Sequence, residues 1–464
     1  MSAPAPAAAP VPSPSAVPPS AAPGAGRPVT LPLAELHASL ADPLLDAMTF
    51  LNEVTTRYPQ AVSFAPGRPY EGFFEPEDVP AYLDAYLDHL AATGLDRDAI
   101  RTTLFQYGPT KGVINDLVAR TLAHDENLAV APGALVLTVG AQEGMLLTLR
   151  ALCAGPDDVL LVSSPCYVGV TGAARLLDLT TVPVPEGPDG GPDPAAVRAA
   201  AREVRAAGRR PRALYVVPDF ANPSGTSMPL PARARLLETA AAEDLLVIED
   251  NPYGFFARDA GERPTLKALD RDRRVVYLGS FAKTCFPGAR LGYVVADQEV
   301  AGPGGRRTLL ADELAKLKSM TTVNTPALSQ AVIGGMLLTH DCRLRAANAP
   351  ATAHYAAAMD RLLAELELRF PAAERARLGL SWNVPEGGFF AVLTVAFAAD
   401  DAAMERCARE FGVLWTPMAP FYPAGGGERR LRLSISSLTP DRIAEGVGRL
   451  ADFLRAETAR AAAR

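Results

Sequence analysis

Lysine is nearly missing from this chain: only five of its 45 Lys and Arg residues are lysine, at positions 111, 267, 283, 316 and 318. Where arginine is the default cation, a retained lysine is one whose amine is wanted, because arginine does not give up its proton. Cysteine is as scarce. Cys153, Cys166, Cys285, Cys342 and Cys407 are odd in number and widely spaced, with no CxxC pair and no Cys/His cluster, which excludes a disulfide framework and a structural metal and points to a reducing compartment. No run of 18 apolar residues occurs, and the N-terminus has neither the basic start nor the apolar core of a signal peptide; a cytoplasmic protein with no membrane partner is expected. Positive charge is not in excess either. A net charge of -7 argues against a nucleic-acid partner held by phosphate contacts.

What is present is globular composition, 48% hydrophobic and 21% charged over 464 residues, enough for two or three domains with a large core. Residues 1–28 are Pro/Ala/Ser-rich with almost no large apolar side chain, so they cannot bury enough surface to offset their ordering entropy, and a disordered tail is predicted. Residues 29–60 carry apolar positions at helical spacing, Leu45, Met48, Leu51 and Val54, and predict a helical arm associated with the smaller domain. From about 134 to 297 β-rich runs such as "DVLLVSS", "LLVIED" and "VVYLGS" alternate with helical segments, the pattern of a mostly parallel sheet covered by helices. A large domain is expected over 61–330. A smaller α+β domain is expected over 331–464, where helical segments flank "GGFFAVLTV" and "LRLSISS".

Ligands of open α/β sheets bind at the carboxyl ends of strands, so the polar residues there are the candidates. After "ALVLTV" come Gly140, Ala141 and Gln142, small residues opening a helix, as an anion requires. After "DVLLVSS" comes Tyr167, an aromatic ring that would cover a flat ligand and would be equally at home in a core. Asn222 follows "ALYVVP" in a turn where asparagine often bonds its own backbone. Asp250 and Tyr253 follow "LLVIE", an acid that elsewhere is often only a helix cap and a phenol three residues on. Ser280, Lys283 and Arg290 follow "VVYLG". Each has an ordinary structural explanation; five consecutive strand ends presenting this set have a much less ordinary one.

The order resembles the fold-type I aminotransferases that use pyridoxal 5′-phosphate (PLP), and "QYGPTKG", "NPSG", "EDNPYG", "SFAKTCFPGARLGY", "PEGGFF" and "LRLSIS" carry the resemblance from about residue 30 to 460. It implies an α/β fold whose large domain has a mostly parallel, seven-stranded sheet. It implies PLP as cofactor, with Lys283 holding it as a Schiff base and shuttling a proton, Asp250 pairing with the ring nitrogen, and Asn222 and Tyr253 bonding the ring's phenolic oxygen. Gly140, Ala141, Gln142, Ser280 and Arg290 would surround the phosphate and Tyr167 would cover the ring. Tyr107 of "QYGPTKG" would reach the phosphate of a neighbouring subunit, so a homodimer with shared sites is implied. Arg432 would grip the α-carboxylate of an amino acid or 2-oxo acid substrate.

Departures from the family pattern concern the substrate. "APGRPYEGFF" places Arg68, Tyr70, Phe73 and Phe74, and "VLWTPMAPFYPAGGG" places Trp415, Phe421 and Tyr422, where an aromatic or polar substrate side chain is expected, Arg68 and Tyr70 being the candidate contacts. Together with "FLNEV" and "VVPDFANPSG" they look like the hydroxyphenylglycine and 3,5-dihydroxyphenylglycine aminotransferases of nonribosomal peptide biosynthesis. An aromatic or 2-aminoadipate aminotransferase, and a PLP-dependent amino acid oxidase or cyclase, would keep the same cofactor residues. A transcription regulator built on the same fold would instead carry a basic helical DNA-binding domain ahead of the first motif.

Overall fold

The computed structural model describes residues 29–45, 55–259, 261 and 263–463. The Pro/Ala tail and most of the expected arm helix, with Met48, Leu51 and Val54, lie outside the described residues. By their contacts these residues form two units. In the first, residues 29–42 make two short 3-10 turns, Leu33–Glu35 and Ala38–Ala41.

The second unit holds everything else. A two-residue strand, β1 (Val62–Ser63), leads into a seven-stranded sheet of β2 (Leu135–Thr138), β3 (Asp158–Ser164), β4 (Thr180–Pro185), β5 (Arg210–Val216), β6 (Leu246–Asp250), β7 (Val275–Ser280) and β8 (Gly292–Val295), in the spatial order β2-β8-β7-β6-β5-β3-β4. These strands are Val/Leu/Ile runs because helices cover both faces: β2 is buried throughout and β3 and β7 nearly so. All run parallel except β8, which is antiparallel to both its neighbours.

That exception positions the site. A parallel return after β7 would need a long crossover to the far edge of the sheet; an antiparallel return lets 281–291 leave and re-enter at one edge, the edge where β2, β3, β5 and β6 also end. Gly292 makes the return close. A Cβ there would lie 2.6 Å from Ala141 N and 2.7 Å from the Gly140 carbonyl carbon, so only glycine lets β8 meet the opening of helix Gly140–Leu152.

Beyond β8 come a two-stranded ribbon, β9 (Glu299–Ala301) with β10 (Arg307–Leu309), and helix Ala327–Thr339, whose Ala331, Ile333 and Leu337 share a buried cluster with Leu137 and Tyr293 of the large sheet. A second core then forms. Strands β11 (Ser381–Trp382), β12 (Phe390–Thr394), β13 (Val413–Leu414), β14 (Thr416–Pro417) and β15 (Arg430–Ser434) supply an antiparallel sheet ordered β11-β12-β15-β14, while β13 pairs in parallel with β1. Helices Ala349–Arg369 and Pro440–Ala462 contribute Leu362, Leu366, Ile443 and Leu450 to the same core as Phe64, Phe389, Trp415 and Leu433. No helix among the described residues is long and apolar enough to cross a membrane.

Candidate active site

A cavity of about 560 Å³ opens where the large sheet's strand ends face β15. Gly140, Ala141, Gln142, Tyr167, Asn222, Asp250, Tyr253, Ser280, Lys283, Arg290 and Arg432 all line it, as does Arg68. Residues 292 positions apart in the chain, Gly140 and Arg432, thus meet at one site.

The opening of helix Gly140–Leu152 is held open by design of the backbone. Gly140 has φ +72°, and a Cβ on it would lie 2.6 Å from Arg290 Nη2, so the bare backbone and the guanidinium share one wall, a cradle for an anion. Glu143 fixes the turn: its Oε2 accepts Val139 N at 2.6 Å and both its oxygens accept from Lys318 Nζ. Gln142 Nε2 donates to Gly169 O at 3.1 Å, and Tyr167 begins the neighbouring helix Val168–Leu176.

Asp250 ends β6, buried, with its Oδ2 accepting from Tyr215 Oη at 2.6 Å. Loss of water, opposed by the Tyr215 bond, leaves its carboxyl raised to about 6. Tyr253 lies three residues on, its hydroxyl bonded to Asn222, and burial raises its pKa well above the ordinary range. Asn222 Oδ1 accepts from Arg432 Nη1 as well, so one amide joins the phenol to the guanidinium. Behind this turn, Arg233 pairs with Asp219 and donates to the carbonyls of Met228 and Pro264, which fixes the loop on which Asn222 stands.

Lys283 lies one turn beyond Ser280, whose Oγ caps the turn by accepting Ala282 N at 3.2 Å. Its Nζ donates to Gly67 O at 2.7 Å, and among the described residues it has no carboxylate partner. Burial, with the positive charges of Arg290 and Arg432, pushes its amine down from 10.5 to about 8. Arg432 is 3% exposed. Its guanidinium lies between Phe390, 4.4 Å from the ring centroid, and Phe421, 5.3 Å away. It donates to Ala65 O and Thr416 Oγ1, its Nε is buried without a partner, and no carboxylate pairs with it among the described residues. Burial lowers its pKa to about 10.

Tyr107, expected at a neighbouring subunit's site, and the aromatics Tyr70 and Trp415, expected at the substrate, do not line the cavity. Tyr107 is 84% exposed on the surface of the single chain. Tyr70 is not among the lining residues; its ring stacks on His354 at 4.6 Å, with Phe73 edge-on to both. Arg68 forms a loose exposed pair with Glu71 at 3.5 Å, and Trp415 is wholly buried in the second core. The sequence reading missed Thr55, Thr56 and the carbonyls of Ala65 and Gly67, which line the cavity or bond its cations. It also missed Tyr215, whose only signal was a phenol next to the last residue of a buried strand.

The arrangement is a buried, cation-rich cavity with an anion cradle at one end, an unpaired guanidinium at the other, and between them an amine and a buried acid. It matches an anionic, aromatic, nitrogen-protonated cofactor plus a carboxylate substrate. The family model for aminotransferase class I and II matches residues 80–450. The chain belongs to that family and is a PLP-dependent aminotransferase acting on amino acids and 2-oxo acids. It is 50% identical over 432 residues, 93% of its length and 96% of the relative's, to (S)-3,5-dihydroxyphenylglycine transaminase of Amycolatopsis orientalis. It is 31% identical to 2-aminoadipate transaminase of Thermus thermophilus, over 86% of this chain and 91% of that one. A solved α-aminoadipate aminotransferase from Thermus thermophilus, complexed with N-(5′-phosphopyridoxyl)-L-leucine, superimposes with a TM-score of 0.71 at 29% identity, covering 86% of this chain and 93% of that one.

Proposed function

We propose that the protein aminates an arylglyoxylate, forming (S)-3,5-dihydroxyphenylglycine or 4-hydroxyphenylglycine, with tyrosine or glutamate as amino donor. The observation that carries the reading is the 50% identity, sustained over nearly the whole of both chains, to the dihydroxyphenylglycine transaminase. The second reading, a broader aromatic or 2-aminoadipate aminotransferase, is favoured by the 31% relative.

In this reading the residues divide the work by their chemistry. Gly140, Ala141, Ser280 and Arg290 hold the cofactor's phosphate, with Gln142 beside them, through backbone N–H groups, a hydroxyl and a guanidinium. Tyr167 covers the ring face. Bound there, PLP supplies an electron sink for the charge left when a substrate Cα–H is removed. Asp250, ionised, holds the ring nitrogen protonated, and Asn222 and Tyr253 donate to the ring's phenolic oxygen. Arg432 takes the substrate α-carboxylate, its orphaned Nε and two aromatic faces being suited to a planar anion.

Lys283 attaches the cofactor and moves the proton. An amine lowered to about 8 is partly neutral near neutral pH, as a nucleophile and base must be. We also read the enzyme as a cytoplasmic homodimer in which Tyr107 serves the neighbouring site; the exposed Tyr107 and Phe105 and the five unpaired, buried cysteines support this.

The test is a half-reaction screen. The PLP-loaded protein is mixed with 3,5-dihydroxyphenylglycine, 4-hydroxyphenylglycine, tyrosine, glutamate, 2-aminoadipate and arginine while the cofactor spectrum is followed. Fast conversion by an arylglycine is expected; conversion by 2-aminoadipate with no response to either arylglycine would replace the first reading by the second.

A further inference from the structure

Tyr215 takes no part in the mechanism above, yet it makes the hydrogen bond that Asp250 has among the described residues. The two stand on adjacent strands, Tyr215 opposite Ile248 in the β5–β6 register, two residues before Asp250 and therefore on the same face of the sheet. Tyr215 is 1% exposed, sits in the buried cluster that includes Val162 and Ile248, and is not among the residues lining the cavity; Asp250 is. Its hydroxyl reaches Asp250 Oδ2 at 2.6 Å.

We propose that Tyr215 is a positioning residue for the transamination: its hydroxyl fixes one oxygen of Asp250, so that the acid meets its charged partner in one orientation and as the carboxylate. A hydroxyl donating to a carboxylate favours the ionised form, and a 2.6 Å O–H···O⁻ contact is in the strong range for such bonds. The bond opposes the desolvation that drives Asp250 toward its neutral form. Tyr167 and Tyr253, which like Tyr215 feel the charge of Asp250, are phenols and do not supply a cation in its place. The residue's influence is thus transmitted through Asp250, and it rests on the reading in which Asp250 pairs with the ring nitrogen.

The experiment is a double-mutant cycle on the loaded enzyme, with Tyr215→Phe made in the wild type and in Asp250→Asn. Three readouts are taken: the pH midpoint of the bound cofactor's absorbance, the rate of cofactor loss on dilution, and kcat and KM separately. In the wild type, Tyr215→Phe is expected to move the midpoint, speed cofactor loss and lower kcat about 10- to 100-fold with KM changed less than about threefold; in Asp250→Asn it is expected to change each less than about twofold. Equal losses in both backgrounds would mean a purely structural role. An unchanged midpoint and kcat in the wild type would also overturn the proposal. If Asp250→Asn alone is without effect, the role of Asp250 fails; if only Tyr215→Phe is silent, Tyr215 fails by itself. Should the Phe variant not fold, 3-fluorotyrosine at 215, a stronger donor, is expected to move the midpoint in the direction opposite to that seen on adding Asp250→Asn, and no movement would refute the proposal.

Discussion

Two groups of buried or half-buried cations in this protein are treated in opposite ways. Beneath the sheet and behind its loops, each finds a carboxylate: Arg233 pairs with Asp219, Lys318 with Glu143, and Lys267 with Asp297 at 2.6 Å. Around the cavity, Lys283 and Arg432 are bonded, among the described residues, only by carbonyls, a hydroxyl and an amide. Lys111 and Lys316 also pair with acids, so Lys283 alone among the five lysines has no carboxylate partner among the described residues. A buried charge left without its counter-ion is unfavourable. In the proposed reading, the first group holds the fold and the second waits for charge a ligand brings.

The comparison can be broken by mutation. Lys283→Ala should abolish turnover, by about 10⁴-fold or more, because no other group at the site can both attach the cofactor and move the proton; steady-state assay of the loaded variant checks this. Arg233→Met should cost about 3–5 kcal/mol of stability by leaving Asp219 as an unpaired buried charge, measured by denaturant unfolding. Arg432→Gln should leave the fold intact and lower kcat/KM for the amino donor by about 1.5–3 kcal/mol, roughly 10- to 150-fold, the strength of a charge-assisted hydrogen bond.

The smallest effect is the sharpest. Lys283→Met should make the cofactor-free protein more stable by about 1–2 kcal/mol near pH 7, the reverse of Arg233→Met, since it removes a desolvated cation that has no carboxylate partner among the described residues. The gain falls with rising pH in a defined way. Folding lowers this amine from 10.5 to about 8, so between those values the unfolded chain binds the proton that the native state has lost. Wild-type stability therefore gains from this group as pH rises from about 8 toward 10, and the advantage of the Met variant shrinks there. Unfolding curves at pH 7 and 9.5 measure it.

Much of the site was legible in the sequence because chain direction does the placing. Asp250, Ser280 and Gly140 directly follow β-rich runs, and in a parallel sheet the residues after such runs share one edge. Lys283 stood out through the scarcity of its kind. What could not be read depends on pairing between distant segments. The Ala65 and Gly67 carbonyls carry no side-chain signature at all, and Tyr215 looks like any aromatic in a strand until β5 is laid beside β6. Tyr70 and Trp415 show the converse: aromatics near a motif were expected at the substrate, and the stack on His354 and the second core account for where the rings lie. The fold was legible as far as its alternation, while the antiparallel return of β8 and the parallel β1–β13 pair needed three dimensions.

The central claim is that the one lysine without an acid partner among the described residues is the one that binds the cofactor. Borohydride reduction of the PLP-loaded protein followed by peptide mass spectrometry tests it directly. The account predicts the cofactor's mass on the peptide carrying Lys283 and on no other; the mass on Lys111, Lys267, Lys316 or Lys318, or on none of the five, would contradict it.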